Sequence, residues 1–190
     1  MMNSPTKIIA SFCLFSVSGM MTGCSEQKNS VSFQTMADAI HTVLEADRTA
    51  YAQLIVNRLA VEENIIKASK HWKDDKALLL PAQMFRAGAE IAGKQNNFSY
   101  SLLSIWPINK KNAPKTDAEK KGLKEVVKTS SNFYTEETLG KKRFFTAVYP
   151  DKAVAEACIN CHNNHEDSPK KDFKLDDVMG AVVIRIPLDF

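Results

Sequence analysis

The stretch NFSYSLLSIWPI, residues 97–108, is where the hydrophobic period of the chain changes. Its side chains alternate between two faces, with Phe98, Tyr100 and Leu102 on one face and Leu103 on the other, which predicts a β-strand ended by the following proline. Helical patterns precede this stretch and further strands follow it. The order predicts an α+β fold, in which helices pack on a small antiparallel sheet.

Upstream of this strand, apolar residues recur at helical spacing. From about Phe33 to Trp72 the pattern contains no proline or glycine, which predicts one long helix over 33–72, or two helices in line. A second helix is predicted over PAQMFRAGAEIAG, residues 81–93, because proline suits the first helical turn and glycine the end of a helix.

Downstream, a loop around Pro114 precedes a polar helix that is predicted to start at Thr116 or Asp117. Two more strands are expected, KKRFFTAVYP at 141–150 and MGAVVIRIPL at 179–188. Between them, DKAVAEA is expected to be a short helical segment that leads into a cysteine motif.

Composition excludes several functions. The 190 residues are 44% hydrophobic and 25% charged, which suits one compact domain with an appended segment. A formal net charge of +3, with lysines spread among acidic residues, is too small to favour nucleic acid. The chain carries no glycine-rich phosphate loop and no Ser/His/Asp signature, so we expect neither nucleic-acid binding nor catalysis.

The N-terminus has the pattern of an export signal. Lys7 precedes an apolar run that is too short to span a bilayer comfortably, and the run ends in MTGC, which resembles a bacterial lipobox. We predict a signal peptide over 1–23, lipidation of Cys24, a polar tether over 24–32 and a single domain over 33–190. An ordinary signal peptide or a short membrane anchor are the alternatives.

These features predict a protein anchored by lipid on the periplasmic side of a bacterial membrane. Ser25, rather than aspartate, follows the lipidated cysteine, and under enterobacterial sorting this favours the outer membrane.

The segment EACINCHNNH, residues 156–165, carries the chemistry. Cys158, Cys161 and His162 form CxxCH, the pattern of c-type haem attachment. Two thiols at this spacing can each add to one vinyl group of a porphyrin, and the adjacent histidine is then held beneath the iron. We therefore predict one covalent haem c, attached through both cysteines, with His162 as the proximal iron ligand.

Three other readings of the motif are open. A redox CxxC normally opens a helix directly after a strand in a βαβ unit, which this chain does not show. A zinc site would need a fourth ligand, for which His165 is near in sequence. A disulfide is expected of two bare thiols in an oxidising compartment, but it leaves the position of His162 unexplained.

Around these motifs the chain resembles a known family, the single-haem, PAS-like c-type haem domain of cyanobacterial cytochromes and of the periplasmic part of bacterial haem chemoreceptors. The resemblance covers about 81–188 and departs where the family has a second Asn-Pro, here Asn109-Lys110. The matching positions are Ser104, Pro107, Asn109, Asn112, Pro114, Tyr149, Pro150, Gly180 and Ala181.

The resemblance implies a PAS-like core over about 81–190, with haem in the concavity of the antiparallel sheet. Apolar strand side chains would then shield the porphyrin and set its potential. The candidates are Phe144, Val148, Ile184 and Ile186.

One axial position of the iron is left for a sixth ligand. Met84 is the first candidate, because its helix packs near the haem in the family, and His71 is the second. Arg86 is a candidate partner for a haem propionate. The remaining candidates for the sixth position are Met36, His41, His165 and Met179.

The sixth ligand decides between functions. A closed, low-spin iron suits one-electron transfer or redox sensing with a partner protein, which is the function that we predict. An open iron would make the domain a gas-binding sensor that signals through a partner, and a protein without haem would be a zinc- or disulfide-stabilised binding domain.

Overall fold

The computed structural model describes residues 30–95 and 97–189. The predicted signal peptide over 1–23 and Cys24 therefore lie outside the described residues. The chain divides into two units, Met1–Ser30 and Val31–Phe190, and the helices and strands described below belong to the second. Within the described residues, no helix has the length and apolarity needed to cross a bilayer.

A long helical part comes first in the described chain, and helices and strands are mixed after it. Helix α1 passes directly into a π-helix, here called the π segment, and a single 3₁₀ turn, Lys110–Asn112, precedes α3. In chain order they are α1 (Phe33–Ala50), the π segment (Tyr51–Glu62), α2 (Pro81–Gly93), β1 (Ser99–Leu103), α3 (Asp117–Thr129), β2 (Phe133–Leu139), β3 (Lys142–Lys152), α4 (Glu156–Asn164) and β4 (Val178–Pro187).

The four strands form one antiparallel sheet in the order β1-β4-β3-β2. Tyr100 of β1 pairs with Ile184 of β4, and Val148 of β3 pairs with Val183 of β4. Helices on a small antiparallel sheet are the predicted α+β fold, which is confirmed.

Helices cover both faces of the sheet. On the α1 face, helices α1 and α2 bury Ala37, Phe85, Ala147, Tyr149, Val182, Ile184 and Ile186. On the α3 face, helix α3 buries Leu103, Leu123, Val126, Val148, Ala181 and Val183. The predicted alternation in β1 is confirmed, because Phe98, Tyr100 and Leu102 pack on the α1 face and Leu103 on the α3 face.

Local signals fix both ends of α2 and the start of α3 as predicted. Helix α2 spans 81–93, with Pro81 in its first turn, where a missing N–H costs no helical hydrogen bond. Helix α3 starts with a capping box, in which the Thr116 hydroxyl accepts from the Glu119 N–H and the Glu119 carboxylate accepts from the Thr116 N–H.

The long helix predicted over 33–72 is wrong at its C-terminal end. The π segment stops at Glu62, and Asn64 then takes a left-handed conformation with φ of 51°. The N–H groups of Ile65 and Ile66 both turn back to the Leu59 carbonyl, which ends the helix although their apolar side chains continue its period. Irregular chain follows up to α2.

Strand β2 was not predicted, and β3 is longer than predicted. β3 continues through Pro150, which lies opposite Ala181, and ends at Lys152. Residues 151–155 of the segment DKAVAEA are therefore strand and loop rather than helix, and α4 begins only at Glu156. Pairing with β4 holds the proline in the strand, although a proline offers no N–H to the ladder.

A buried ionic network ties α3 to the sheet. Arg185 of β4 donates from Nε to Glu137 Oε1 at 2.7 Å and from Nη2 to Glu119 Oε1 at 2.8 Å. Thr146 also donates to Glu137, at 2.8 Å. All three charged side chains are at most 13% exposed, so one guanidinium compensates two buried carboxylates.

Gly180 marks a close approach between β4 and β1. A Cβ at this position would lie 2.4 Å from the Leu103 carbonyl oxygen, a backbone atom that cannot move aside alone. We expect Gly180→Ala to lower the free energy of unfolding by about 1–3 kcal/mol, measured by urea denaturation. Gly93→Ala is the control, because a Cβ there meets nothing within 4 Å. Equal losses in both variants would contradict this close approach.

Candidate functional site

The CxxCH motif lies on α4, directly after the loop that leaves β3. Cys158 and Cys161 are three residues apart, so their thiols project from the same side of the helix. Both are free thiols, with Cys158 half-buried and Cys161 exposed. The disulfide expected of a bare pair is therefore not formed in the structure.

The π segment fixes the start of α4. Gln53 Nε2 donates to the Val154 carbonyl at 2.8 Å, and the Ala157 N–H donates to Asn57 Oδ1 at 3.1 Å. These side chains satisfy backbone groups near the N-terminus of α4, where a helix has unpaired N–H groups. The position of the motif thus depends on the long N-terminal helical part.

A second contact fixes the loop that follows α4. The Asn163 side chain accepts from the Phe173 N–H at 3.0 Å and donates to the Phe173 carbonyl at 2.9 Å. This two-point contact places the Phe173 ring edge-on to His162, with centroids 6.0 Å apart and the planes at 86°. Trp106 meets the same ring edge-on at 5.6 Å.

An apolar cluster, here called the cysteine cluster, lies beside the motif. Its buried members are Ala153, Phe173 and Met179, and Trp106, Cys158 and Ile159 pack against them. One of the two thiols thus faces an apolar wall, while the other is exposed. Such a wall beside a thiol suits a bound apolar ring system.

His162 is half-buried, and its imidazole has the properties of a metal ligand. Its Nδ1 atom is buried and has no hydrogen-bond partner among the described residues. Burial lowers the pKa of His162, and the charges of Arg48 and His165 lower it further. The imidazole is therefore neutral at pH 7, the form that binds a metal.

The zinc reading gains no support. Among residues 30–95 and 97–189, no three His, Cys, Asp or Glu side chains are grouped so that they could hold a metal ion. His165 instead accepts the Asp167 N–H on its Nδ1 at 3.1 Å.

The two leading candidates for the sixth position lie apart from the cysteine cluster. His71 is exposed in the irregular chain between the π segment and α2, where its N–H donates to Ser69 Oγ at 3.1 Å. Met84 is half-buried on α2, which packs mainly on β1. Of the other candidates, Met179 is a buried member of the cysteine cluster, and His41 stacks on Tyr149 at 3.9 Å.

Arg86 lies in a different part of the molecule from the motif. Its Nη2 donates to Asn112 Oδ1 at 3.3 Å. It lines an open cavity of about 530 Å³ between α2, β1 and the start of α3, and no residue of α4 lines that cavity. The structure therefore gives Arg86 a polar partner other than the one predicted.

The four apolar strand residues proposed as a porphyrin shield do not share a surface. Val148 lies on the α3 face, whereas Ile184 and Ile186 lie on the α1 face. Successive residues along a strand alternate between faces, and Ile184 pairs with Ala147 rather than with Val148, so this prediction of a common wall is wrong. The wall beside the motif comes from Trp106 and Phe173 instead.

Arg48 and Asp151 belong to this region, and sequence reasoning missed both. Arg48 Nη1 lies 2.5 Å from Asp151 Oδ1, and the side chains are 12% and 11% exposed. The helical period could have indicated Arg48, because it lies eleven residues, about three turns, after the buried Ala37 and is therefore on the buried side of α1.

Comparisons with known proteins are consistent with this geometry. The model of the Tll0287-like family matches residues 26–187. The chain belongs to the Tll0287-like family. This family is the resemblance predicted from the sequence, which is thereby confirmed.

Among solved structures, the cyanobacterial heme-protein Tll0287 matches with a TM-score of 0.55 and 13% sequence identity. The match covers 83% of this chain and 98% of that one. At this identity the likeness shows a shared fold. No curated protein matches the chain.

Proposed function

We propose that this member of the Tll0287-like family carries one covalent haem c on α4. Cys158 and Cys161 would each form a thioether, in which the sulfur bonds to one vinyl carbon and the thiol proton goes to the other. His162 would be the proximal iron ligand. The observation that carries the proposal is the placement of two free thiols on one side of α4, next to a half-buried histidine with a lowered pKa.

The group, when bound, supplies a one-electron iron couple, and the surrounding residues suit electron transfer. Phe173, Met179 and Trp106 keep one side of the motif apolar, and this low polarity would help to set the potential of the iron. Cys161 is exposed, so one attachment point lies at the surface, where a redox partner protein can approach. We therefore propose a one-electron carrier or redox sensor rather than a catalyst.

The proposed setting is the periplasmic side of a bacterial membrane. It rests on the apolar run before Cys24 and on the lipobox-like residues that end it. Lipid on Cys24 would anchor the domain through the polar tether over 24–32, and Ser25 favours the outer membrane. Covalent attachment suits this setting because the haem cannot then be lost to the surroundings.

A gas-binding sensor is the second candidate function. The observation that favours it is the position of Met84, which lies on α2 and is not among the apolar residues packed in the cysteine cluster. If no other side chain closes the sixth position, the iron could bind CO, NO or O₂.

A visible spectrum of the dithionite-reduced protein, recorded before and after CO, tests the proposed function. We expect a sharp low-spin spectrum that CO does not change, because an electron carrier keeps its sixth position occupied. The Met179→Leu variant, of similar volume, identifies one candidate ligand by its response to CO. A wild-type spectrum shifted by CO would contradict the electron-transfer proposal and support the sensor.

A further inference from the structure

Two buried side-chain nitrogen atoms lack a hydrogen-bond partner in the part of the chain that the structure describes, namely Arg48 Nε and His162 Nδ1. Buried polar groups in proteins are paired in the great majority of cases, so each unpaired atom calls for an explanation. Arg48 is linked to the region of the motif through Asp151, which it contacts and which pairs with Gly180, the neighbour of Met179 in the cysteine cluster. Both atoms therefore belong to elements that meet at the cysteine cluster or carry the motif.

The arginine is held in a fixed orientation. Nη1 and Nη2 of Arg48 contact Oδ1 and Oδ2 of Asp151 at 2.5 Å and 3.2 Å. This two-point contact occupies the terminal nitrogens of the guanidinium. A guanidinium has five N–H donors in a rigid plane, so the Nε edge is left for another acceptor.

The chain places this pair close to the cysteines. Asp151 pairs with Gly180 near the end of β3, and α4 begins five residues later at Glu156. Arg48 is in the last turn of α1, immediately before the π segment that holds the start of α4. The ion pair is thus carried by α1 and β3, the elements that directly precede the π segment and α4 in the chain.

The missing acceptor is most simply an anion. Leaving a buried N–H of a cation unsatisfied is unfavourable, and a carboxylate relieves that cost with a charge-assisted hydrogen bond. The charged and titratable side chains around the pair are Glu45, which is 57% exposed, and His162, whose Nδ1 atom is buried. Neither of them pairs with the Nε edge.

We propose that Arg48 binds a propionate carboxylate of the haem through its Nε edge, and that Asp151 is the positioning residue that orients the guanidinium. The inference rests on the proposed function and assigns to Arg48 the role that the sequence assigned to Arg86. Arg86 has its own partner in Asn112 and lines a cavity that contains no residue of α4.

The test compares the midpoint potentials of holoproteins made in a host with haem c maturation. The variant Arg48→Gln/Asp151→Asn removes the proposed propionate contact together with both charges of the ion pair, so that neither Arg48 nor Asp151 is left as an unpaired buried charge. We expect its reduction equilibrium constant to fall by about threefold to tenfold, which is about 30–60 mV for a one-electron couple, because the propionate charge loses its partner and favours the oxidised iron. Arg86→Gln is the matched control and is expected to leave the potential unchanged.

Arg48→Lys provides a variant that keeps the ion pair with Asp151 but not the planar fork. We expect Arg48→Lys to show a smaller fall in potential than the double variant. If the double variant accumulates without haem, the potential of Arg48→Lys alone tests whether Arg48 binds the propionate. Wild-type potentials in both Arg48 variants, or a shift in Arg86→Gln alone, would overturn the assignment while leaving covalent haem intact. A wild-type protein without covalent haem would overturn the proposed function itself.

Discussion

Replacing Cys158 and Cys161 together with alanine is expected to leave the protein without covalently bound haem, even in a host with haem c maturation. Each thiol supplies one thioether, and no other cysteine in the described residues can replace them. Single variants keep one attachment point, so we expect them to retain partial loading. Haem staining after denaturing electrophoresis measures the covalent fraction in each variant.

His165→Ala is the matched control for this experiment. His165 is three residues after His162 but bonds to the Asp167 N–H, so its loss is expected to leave haem loading unchanged. A zinc site instead predicts no haem in any variant and weaker zinc binding in His165→Ala, because His165 would then be the fourth ligand. Undiminished haem staining in the double cysteine variant would contradict the assignment of the motif.

Replacing Arg185 with methionine is expected to cause the largest loss of stability outside the motif. Arg185 is the basic partner of both Glu119 and Glu137, and both carboxylates are at least nine-tenths buried. Removing one partner of a buried pair leaves an uncompensated charge and costs about 3–5 kcal/mol. Urea unfolding followed by circular dichroism measures the loss.

Arg143→Met is the control for the buried network. Arg143 pairs with Glu136 at 2.8 Å, but both side chains are more than half exposed, so water screens the pair. Exposed pairs contribute about 0–1 kcal/mol. Equal losses in the Arg143 and Arg185 variants would show that burial does not set the strength of the network.

Local patterns predicted the elements whose own residues determine them. Helix α2 has the predicted bounds because Pro81 and Gly93 mark its ends, and α3 starts at the predicted cap. In β1 the alternation of Tyr100 and Leu103 correctly assigned the two faces. These signals act within a few residues, which is the range that sequence patterns describe.

Elements that depend on distant partners were not predictable in this way. Strand β2 contains Glu136 and Glu137 side by side and has little apolar pattern, and it exists because it pairs along β3 and because Glu137 meets Arg185. The end of the π segment was likewise not predictable from the sequence pattern. The side chains of Ile65 and Ile66 continue the helical period, but their N–H groups donate back to the Leu59 carbonyl.

The same difference between local and distant signals applies to the candidate site. The CxxCH motif identifies Cys158, Cys161 and His162 as the proposed haem-binding residues from the sequence alone. The residues around them come from elsewhere: Arg48 and Asp151 are 103 positions apart, and Phe173 is fixed by Asn163 ten positions away. Sequence reasoning chose Arg86 for the propionate because it is an arginine on a helix that the resemblance places near the haem, whereas burial and pairing favour Arg48.

The central claim is that this chain binds haem covalently at Cys158 and Cys161. The most direct measurement is the pyridine haemochrome spectrum of the wild-type protein, made in a host with haem c maturation and extracted with acidified organic solvent. We expect one haem per chain, which stays with the protein during extraction and gives a c-type spectrum. A colourless protein, or haem that passes into the solvent, would contradict it.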